Sequence, residues 1–210
     1  MTTFRVMRTD EFDAVRELSA SAFGDDDLIR SLLTELRTSW AWEDELSFVA
    51  ERHGALVGQV LFTHAFLDTA RGVVDVLVLS PVGVRPDLQQ QGIGTGLLEH
   101  ALDVVRRRPE PLVFLEGSPR YYPRFGFRQG SGLGFVAPSP RIPSAAFQVL
   151  LLPSHESWGT STGAALVGIW RTNKGPFLVS TCQVPEMRGR PRPSGRRRPR
   201  RGSGAWWQGA

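Results

Sequence analysis

The chain has 210 residues, 41% of them apolar, enough for one globular domain with its own core. No run of 18 apolar residues occurs, so no membrane-spanning helix is expected, and Cys182 is the single cysteine, which excludes an internal disulfide. The formal charge of +4 divides unevenly: residues 1–186 hold 17 Lys+Arg against 21 Asp+Glu, whereas residues 187–210 hold eight arginines and no acid, so nucleic-acid affinity argued from charge belongs to the tail alone.

The segment from Met1 to Asp13 lacks the apolar core of a secretory signal, and the cytoplasm is the expected compartment. From Asp10 to Phe23, Phe12, Val15, Leu18 and Ala22 fall on one face of an amphipathic helix, with Asp10 or Thr9 as N-cap. Residues Asp26–Arg37 repeat the pattern with Leu28, Ile29, Leu32, Leu33 and Leu36. Asp25, Asp26 and Asp27 favour that helix's N-terminus. Strands are predicted over Leu46–Glu51 and Leu56–Phe66, joined by a hairpin turn at Arg52-His53-Gly54. The aliphatic run Val73–Leu79 reads as a central strand covered on both faces, continuing through Pro81 to Val84. A proline inside a strand demands a bulge or a missing ladder partner.

Gly92–Arg108 reads as a helix with Ile93, Leu97, Leu98, Ala101, Leu102 and Val105 inward. Pro111–Glu116 is a buried strand, Pro119–Phe125 a short helix or turn, Phe127 the opening of another strand, and Phe147–Leu152 a late strand. The order describes a mixed α/β layer with helices on both faces of one central sheet. From Pro185 the chain is rich in Arg, Pro and Gly with little to bury, so residues 185–210 are expected to be a disordered tail and residues 1–184 the folded domain.

The chemistry concentrates where the central strand ends. Val84-Arg85-Pro86-Asp87-Leu88-Gln89-Gln90-Gln91-Gly92-Ile93-Gly94-Thr95-Gly96 is a polar loop in which glycines open a helix. Glycine permits positive φ and close approach of backbone to a ligand. The free N–H groups of a helix N-terminus suit a diphosphate, and Arg85 would add charge. The spacing is wrong for the dinucleotide fingerprint G-x-G-x-x-G, and no lysine is present for a P-loop.

Val84-x-Pro86-x-x-Gln89-x-x-Gly92-Ile93-Gly94 resembles the acyl-CoA-binding signature of the GNAT acyltransferase superfamily. Leu79-Ser80-Pro81-Val82-Gly83-Val84 is similar to the family's bulged strand. Downstream, Leu115-Glu116-Gly117-Ser118-Pro119-Arg120-Tyr121-Tyr122-Pro123-Arg124-Phe125-Gly126-Phe127 resembles a segment of a bacterial subgroup of small N-acetyltransferases. The resemblance covers about residues 4–152. It implies a GNAT-like mixed sheet whose splayed strand pair forms an acyl-CoA cleft. Val82 and Val84 would offer main-chain contacts to the pantetheine arm, and Gln89, Gln91, Gly92, Gly94 and Thr95 would surround the diphosphate.

The implied activity is N-acyl transfer, with acetyl-CoA as acyl-donor substrate, no metal, and direct attack by a primary amine of a small molecule or peptide. Tyr122 is the candidate general acid for the departing thiolate, since a phenol is protonated at neutral pH. Val78 stands where some members of the superfamily carry a glutamate base, and Asp75 faces the other way by strand alternation. Glu116 is therefore the better carboxylate, with a water relay as the alternative. His64 reads as a partly exposed strand residue, His53 as a turn residue, and His100 as helix surface. No His/Cys/Asp group has metal-ligand spacing. Trp40 and Trp42 read as packing or as the lining of the acceptor side. Two rival readings remain: an inactive acyl-CoA-binding module of the same fold, and nucleic-acid binding through the tail. No membrane partner is implied, and a homodimer stays open.

Overall fold

The computed structural model describes residues 1–24, 27–69 and 72–158, with three short pieces at 165–167, 171–172 and 175–176. Asp25, Asp26, Cys182 and the expected tail from residue 185 lie outside the described residues. In chain order the elements are β1 (Thr2–Val6), α1 (Phe12–Ala22), α2 (Asp27–Arg37), β2 (Ser47–Arg52), β3 (Ala55–Thr69), β4 (Gly72–Val84), α3 (Ile93–Val105), β5 (Leu112–Glu116), β6 (Arg128–Gln129) and β7 (Phe147–Leu151), followed by a short α4 (His155–Trp158) and β8 (Ala165–Val167). The sheet runs β1-β2-β3-β4-β5-β7-β6, with β8 also pairing to β3. Along that path every pair is antiparallel except β4–β5.

Helices cover both faces, as the apolar patterns require. On one face α3 sends Ile93, Leu97, Leu98, Ala101, Leu102 and Val105 into a core shared with Phe48, Val60, Phe62, Leu77 and Leu79. On the other, Ile29, Leu32, Leu33 and Leu36 of α2 pack on Leu61 of β3. Beside them Val76, Val78, Phe114, Phe147 and Phe135 fill the layer over the second half of the sheet. The β2–β3 hairpin turns through His53 (φ 53°) and Gly54 (φ 75°), two successive positive φ values that match the twist of the flanking strands.

The proline in β4 is accommodated by a bulge. Val60 pairs with Val82 and Phe62 with Leu79, so Leu61 faces two residues, Ser80 and Pro81. The extra residue re-phases the strand: Leu79 and Val82, three apart, both point into the α3-side core. On its other edge β4 pairs with β5 only at Leu77↔Val113 and Val78↔Phe114. Beyond Val78 the two parallel strands part, and β4 continues to Val84 paired with β3 on one edge and with no β5 partner on the other. This is the splayed pair expected from the sequence.

Three expectations need correction. Strand β1 went unpredicted; it is a five-residue edge strand on β2. Neither Thr9 nor Asp10 caps α1. They lie in a 3-10 turn with Glu11, whose carboxylate accepts the Arg8 N–H (2.8 Å) and two hydrogen bonds from Arg5 (2.7 and 2.8 Å). The strand expected from Phe127 amounts to Arg128–Gln129. Among the described residues, no helix is long and apolar enough to cross a membrane.

Candidate active site

The loop from Arg85 to Gly92 bends the chain from β4 into α3. Gln90 (φ 61°) and Gly92 (φ 78°) take the left-handed conformation, and Gly92 is the N-cap of α3. An added Cβ at Gly92 would meet nothing within 4 Å, so glycine is needed there for its dihedral angle and not for space. The first helical hydrogen bond runs from Gly96 N–H to Gly92 O (2.9 Å). The N–H groups of Ile93, Gly94 and Thr95 therefore precede the helical ladder and project from the helix end, an arrangement that attracts anions.

The side chains of this loop serve mainly to shape it. Gln89 Nε2 donates to Val84 O (3.1 Å), tying the loop to the end of β4. Gln91 Oε1 accepts from Arg52 of the neighbouring hairpin (2.9 Å). Arg85, expected to lend positive charge, is locked to the Asp87 carboxylate through two hydrogen bonds (2.6 and 2.8 Å), so its charge is cancelled locally. The pair is solvent-exposed, and the partner carboxylate stands only two residues away in the chain. Gly96 is a packing residue: a Cβ there would lie 2.7 and 2.9 Å from the Phe4 ring of β1. Gly94 is closer to its expected place. Its ideal Cβ would sit 3.3 Å from Val84 Cγ2 and 3.7 Å from the Tyr121 hydroxyl.

The backbone of β4 has a defined polarity along the cleft. Arg85 N–H donates to Val57 O of β3 (2.9 Å). In an antiparallel strand the N–H and C=O of alternate residues point to opposite edges. Gly83 therefore turns to β3 with Arg85, and the main-chain groups of Val82 and Val84 turn toward β5, where the ladder has ended. The Gln89 contact to Val84 O agrees with this direction.

Glu116 ends β5 and faces Phe147 across the β7 ladder. Burial pushes its carboxyl up to about 7, and among the described residues no ion pair reaches it. The turn that follows is pinned by Gln148 of β7. Its buried amide donates to Gly117 O (3.1 Å) and Ser118 O (3.3 Å), a brace with no local signature in the chain order. Tyr122 rests on this turn. A Cβ on Gly117 would come within 2.3 Å of Tyr122 Cε2, so the absence of a side chain at Gly117 makes room for the ring. Tyr122 also packs edge-on against Phe127 (5.7 Å) and Tyr121 (5.1 Å). Both tyrosines are buried.

Another polar cluster forms at the far end of β4, away from this cleft. His64 Nε2 meets Glu43 (2.8 Å) and Nδ1 meets Asp75 (3.1 Å), while Glu110 lies 3.8 Å from Nδ1. Arg108, just past α3, chelates Glu43 (2.6 and 2.7 Å) and Glu110 (2.9 and 3.0 Å). Burial opposes protonation of His64, but the hydrogen bonds to Glu43 and Asp75 prevail and raise its pKa. His64 is the partly exposed strand residue expected, and it is also the hub of an ion network that sequence spacing did not announce. Trp42 stacks edge-on against Phe12 and donates to Asp44 (2.7 Å), whereas Trp40 lies flat on Phe66 at the surface.

A bulged β4 splayed from β5, with a helix N-terminus at its exit, defines an acyl-CoA-dependent acyltransferase fold. The sequence profile of the Acetyltransferase (GNAT) domain matches residues 3–130. The uncharacterized N-acetyltransferase YjhQ of Escherichia coli strain K12 is 36% identical over 147 residues, which is 66% of this chain and 76% of that protein. The structure resembles a GNAT family N-acetyltransferase (YhbS) from Escherichia coli solved in complex with CoA: TM-score 0.68 and 23% identity over 79% of this chain and 89% of that one. It also resembles a GNAT family acetyltransferase from Brucella melitensis solved in complex with acetyl-CoA: TM-score 0.57 and 26% identity over 72% and 88%. The chain belongs to the GNAT family and is an acyl-CoA-dependent N-acetyltransferase.

Proposed function

We propose that the protein transfers acetyl from acetyl-CoA directly to the primary amine of a small molecule or peptide, in the cleft between β4 and β5. The observation that carries this reading is the β4 edge beyond Val78, whose Val82 and Val84 main-chain groups face the gap and lead to the N-terminus of α3. The pantetheine amides would pair with that edge, as an added strand does. The diphosphate would meet the N–H groups of Gly92, Gly94 and Thr95, with Gln89 and Gln91 holding the loop in shape.

In this reading the amine nitrogen attacks the thioester carbon. The oxyanion is stabilised by backbone N–H at the bulge around Val82. The C–S bond then breaks, the thiolate takes a proton from Tyr122, and the amine's surplus proton passes to Glu116. A carboxyl poised near 7 is matched to that task at physiological pH. Holding both reactants in one cleft supplies much of the rate.

A thiol-release assay with acetyl-CoA against a panel of primary amines tests the proposal. CoA release that depends on the amine is expected. Binding of acetyl-CoA with no release on any amine would favour the inactive binding module instead.

A further inference from the structure

We infer that His64 Nδ1, Asp75 and Glu110 bind one divalent transition-metal ion of the zinc class at the closed end of the β4–β5 pair. This is a separate site, and acetyl transfer in the cleft makes no use of it. The donor atoms of the three side chains all lie within 4.8 Å of one another. Nδ1 stands 3.1 Å from Asp75 Oδ1 and 3.8 Å from Glu110 Oε1. Ligands held about 2.0–2.2 Å from a tetrahedral zinc ion stand about 3.4 Å apart, so small side-chain shifts close the shell and water completes it.

The other side of the ring fixes what Nδ1 can do. Nε2 lies 2.8 Å from Glu43, whose carboxylate already accepts two hydrogen bonds from Arg108 (2.6 and 2.7 Å). An ionised carboxylate only accepts, so Nε2 carries the hydrogen. In the neutral ring Nδ1 is then a bare lone pair aimed at two carboxylates, and three acceptors converge with no hydrogen among them. A positive centre belongs in that gap, either a second ring proton or a metal ion. An imidazole that ligates a metal while its other N–H donates to a carboxylate is held in orientation and strengthened as a ligand. Glu43 supplies that carboxylate.

Charge favours the ion over the proton. Glu43, Asp75 and Glu110 bring three negative charges, and among the described residues Arg108 is the one arginine or lysine paired with them. A ring proton cancels one of the two charges left over, whereas a divalent ion cancels both. The Glu110 side chain is 5% exposed, so its charge is poorly hydrated. Its two oxygens accept from Arg108 (2.9 and 3.0 Å) and keep lone pairs for an ion. Asp75 is half exposed and gives the ion a way in. One imidazole with two carboxylates suits zinc and its neighbours, whereas magnesium and calcium prefer shells of oxygen alone. Asp75 lies on β4 three residues before Val78, and Glu110 two residues before β5 begins. The ion therefore ties the two strands just ahead of where they part, and stabilises the fold without entering the cleft.

Calorimetry with Zn²⁺ on the full chain, first stripped of metal by a chelator, tests the site. Wild type should bind Zn²⁺ with a Kd of about micromolar or tighter. Zn²⁺ at a hundredfold excess over that Kd should raise the melting temperature by about 5–10 °C. Asp75→Asn and His64→Gln should each weaken Zn²⁺ at least tenfold and remove most of the thermal shift. Asp75 is exposed, so its variant keeps the fold, and a wild-type circular dichroism spectrum verifies that. Millimolar Mg²⁺ should leave the Zn²⁺ isotherm unchanged. Wild type that gives no heat with Zn²⁺ overturns the inference and leaves a ring proton in the gap. Zn²⁺ affinity within twofold of wild type in both variants also overturns it, by placing the ion on other groups such as the Cys182 thiol. Displacement of Zn²⁺ by Mg²⁺ overturns the assignment to a transition metal.

Discussion

Replacing Glu116 with glutamine separates its two consequences, one on stability and one on rate. Burial raises this carboxyl from 4.5 to about 7. The folded state thus keeps a proton that the unfolded chain releases. The sign follows: this contribution favours folding most below pH 4.5 and is lost as pH rises to about 7. Such a shift corresponds to about 3 kcal/mol as an upper bound, and partial exposure reduces it to roughly 1–2 kcal/mol. At pH 8 the wild type holds an ionised carboxylate in a poorly solvated place, and Glu116→Gln removes that cost. The variant should melt about 2–8 °C higher at pH 8 and match wild type at pH 4.5. Its turnover should fall by about 10²–10⁴, and the rise of wild-type kcat/KM through pH 7 should disappear. Gain in stability with loss of activity is the signature of a strained functional group. A stabilised variant with full activity would show Glu116 to be a desolvated bystander. An unchanged melting curve would refute the burial argument itself.

Tyr122→Phe should keep acyl-CoA affinity and the fold, and lower kcat by about 10²–10⁴ in a thiol-release assay, because only the donated proton is removed. Gly96→Ala should cost about 1–3 kcal/mol, since the new methyl would press on the Phe4 ring, and thermal melting should record the loss. The affinity of the folded fraction for CoA should be unaltered. His64 contributes stability that is complete below its unfolded value, about 6.5, and is lost as pH rises through its elevated folded value. His64→Gln should flatten the decline of melting temperature above pH 6.5 and leave the Glu116 window between 4.5 and 7 intact.

The site's frame was legible because it is local. A near-continuous aliphatic run, a proline within it, and glycines opening an amphipathic helix lie in consecutive positions, and each has a physical reason that holds without tertiary context. The bulge at Ser80 and Pro81 and the N-terminus of α3 follow directly. What escaped is what folding brings together from afar. Glu43, His64, Asp75, Arg108 and Glu110 are scattered over 68 positions and carry no common spacing, yet they form one network. Gln148 braces a turn 30 residues earlier in the chain. Gly94 and Gly96 look equivalent in sequence, but only the structure reveals that one faces Tyr121 and the other faces Phe4. Strand β1 is short, polar at three of five positions, and stabilised by its neighbour β2, so its pattern alone was too weak to read. Tyr121 and Tyr122 are neighbours in the chain, but the turn around Ser118 brings the Tyr121 hydroxyl close to Gly94 of α3 while Tyr122 packs on Gly117.

Titration of acetyl-CoA into wild-type protein and into Gly94→Glu, followed by calorimetry, tests the central claim most directly. The substitution adds bulk where a Cβ already stands 3.3 Å from Val84 and 3.7 Å from the Tyr121 hydroxyl, and it adds negative charge at the helix end. The wild type should bind with a Kd of about micromolar or tighter, and the variant, still folded, should give no heat of binding. A silent wild type, or a variant that binds as well as wild type, would contradict the account.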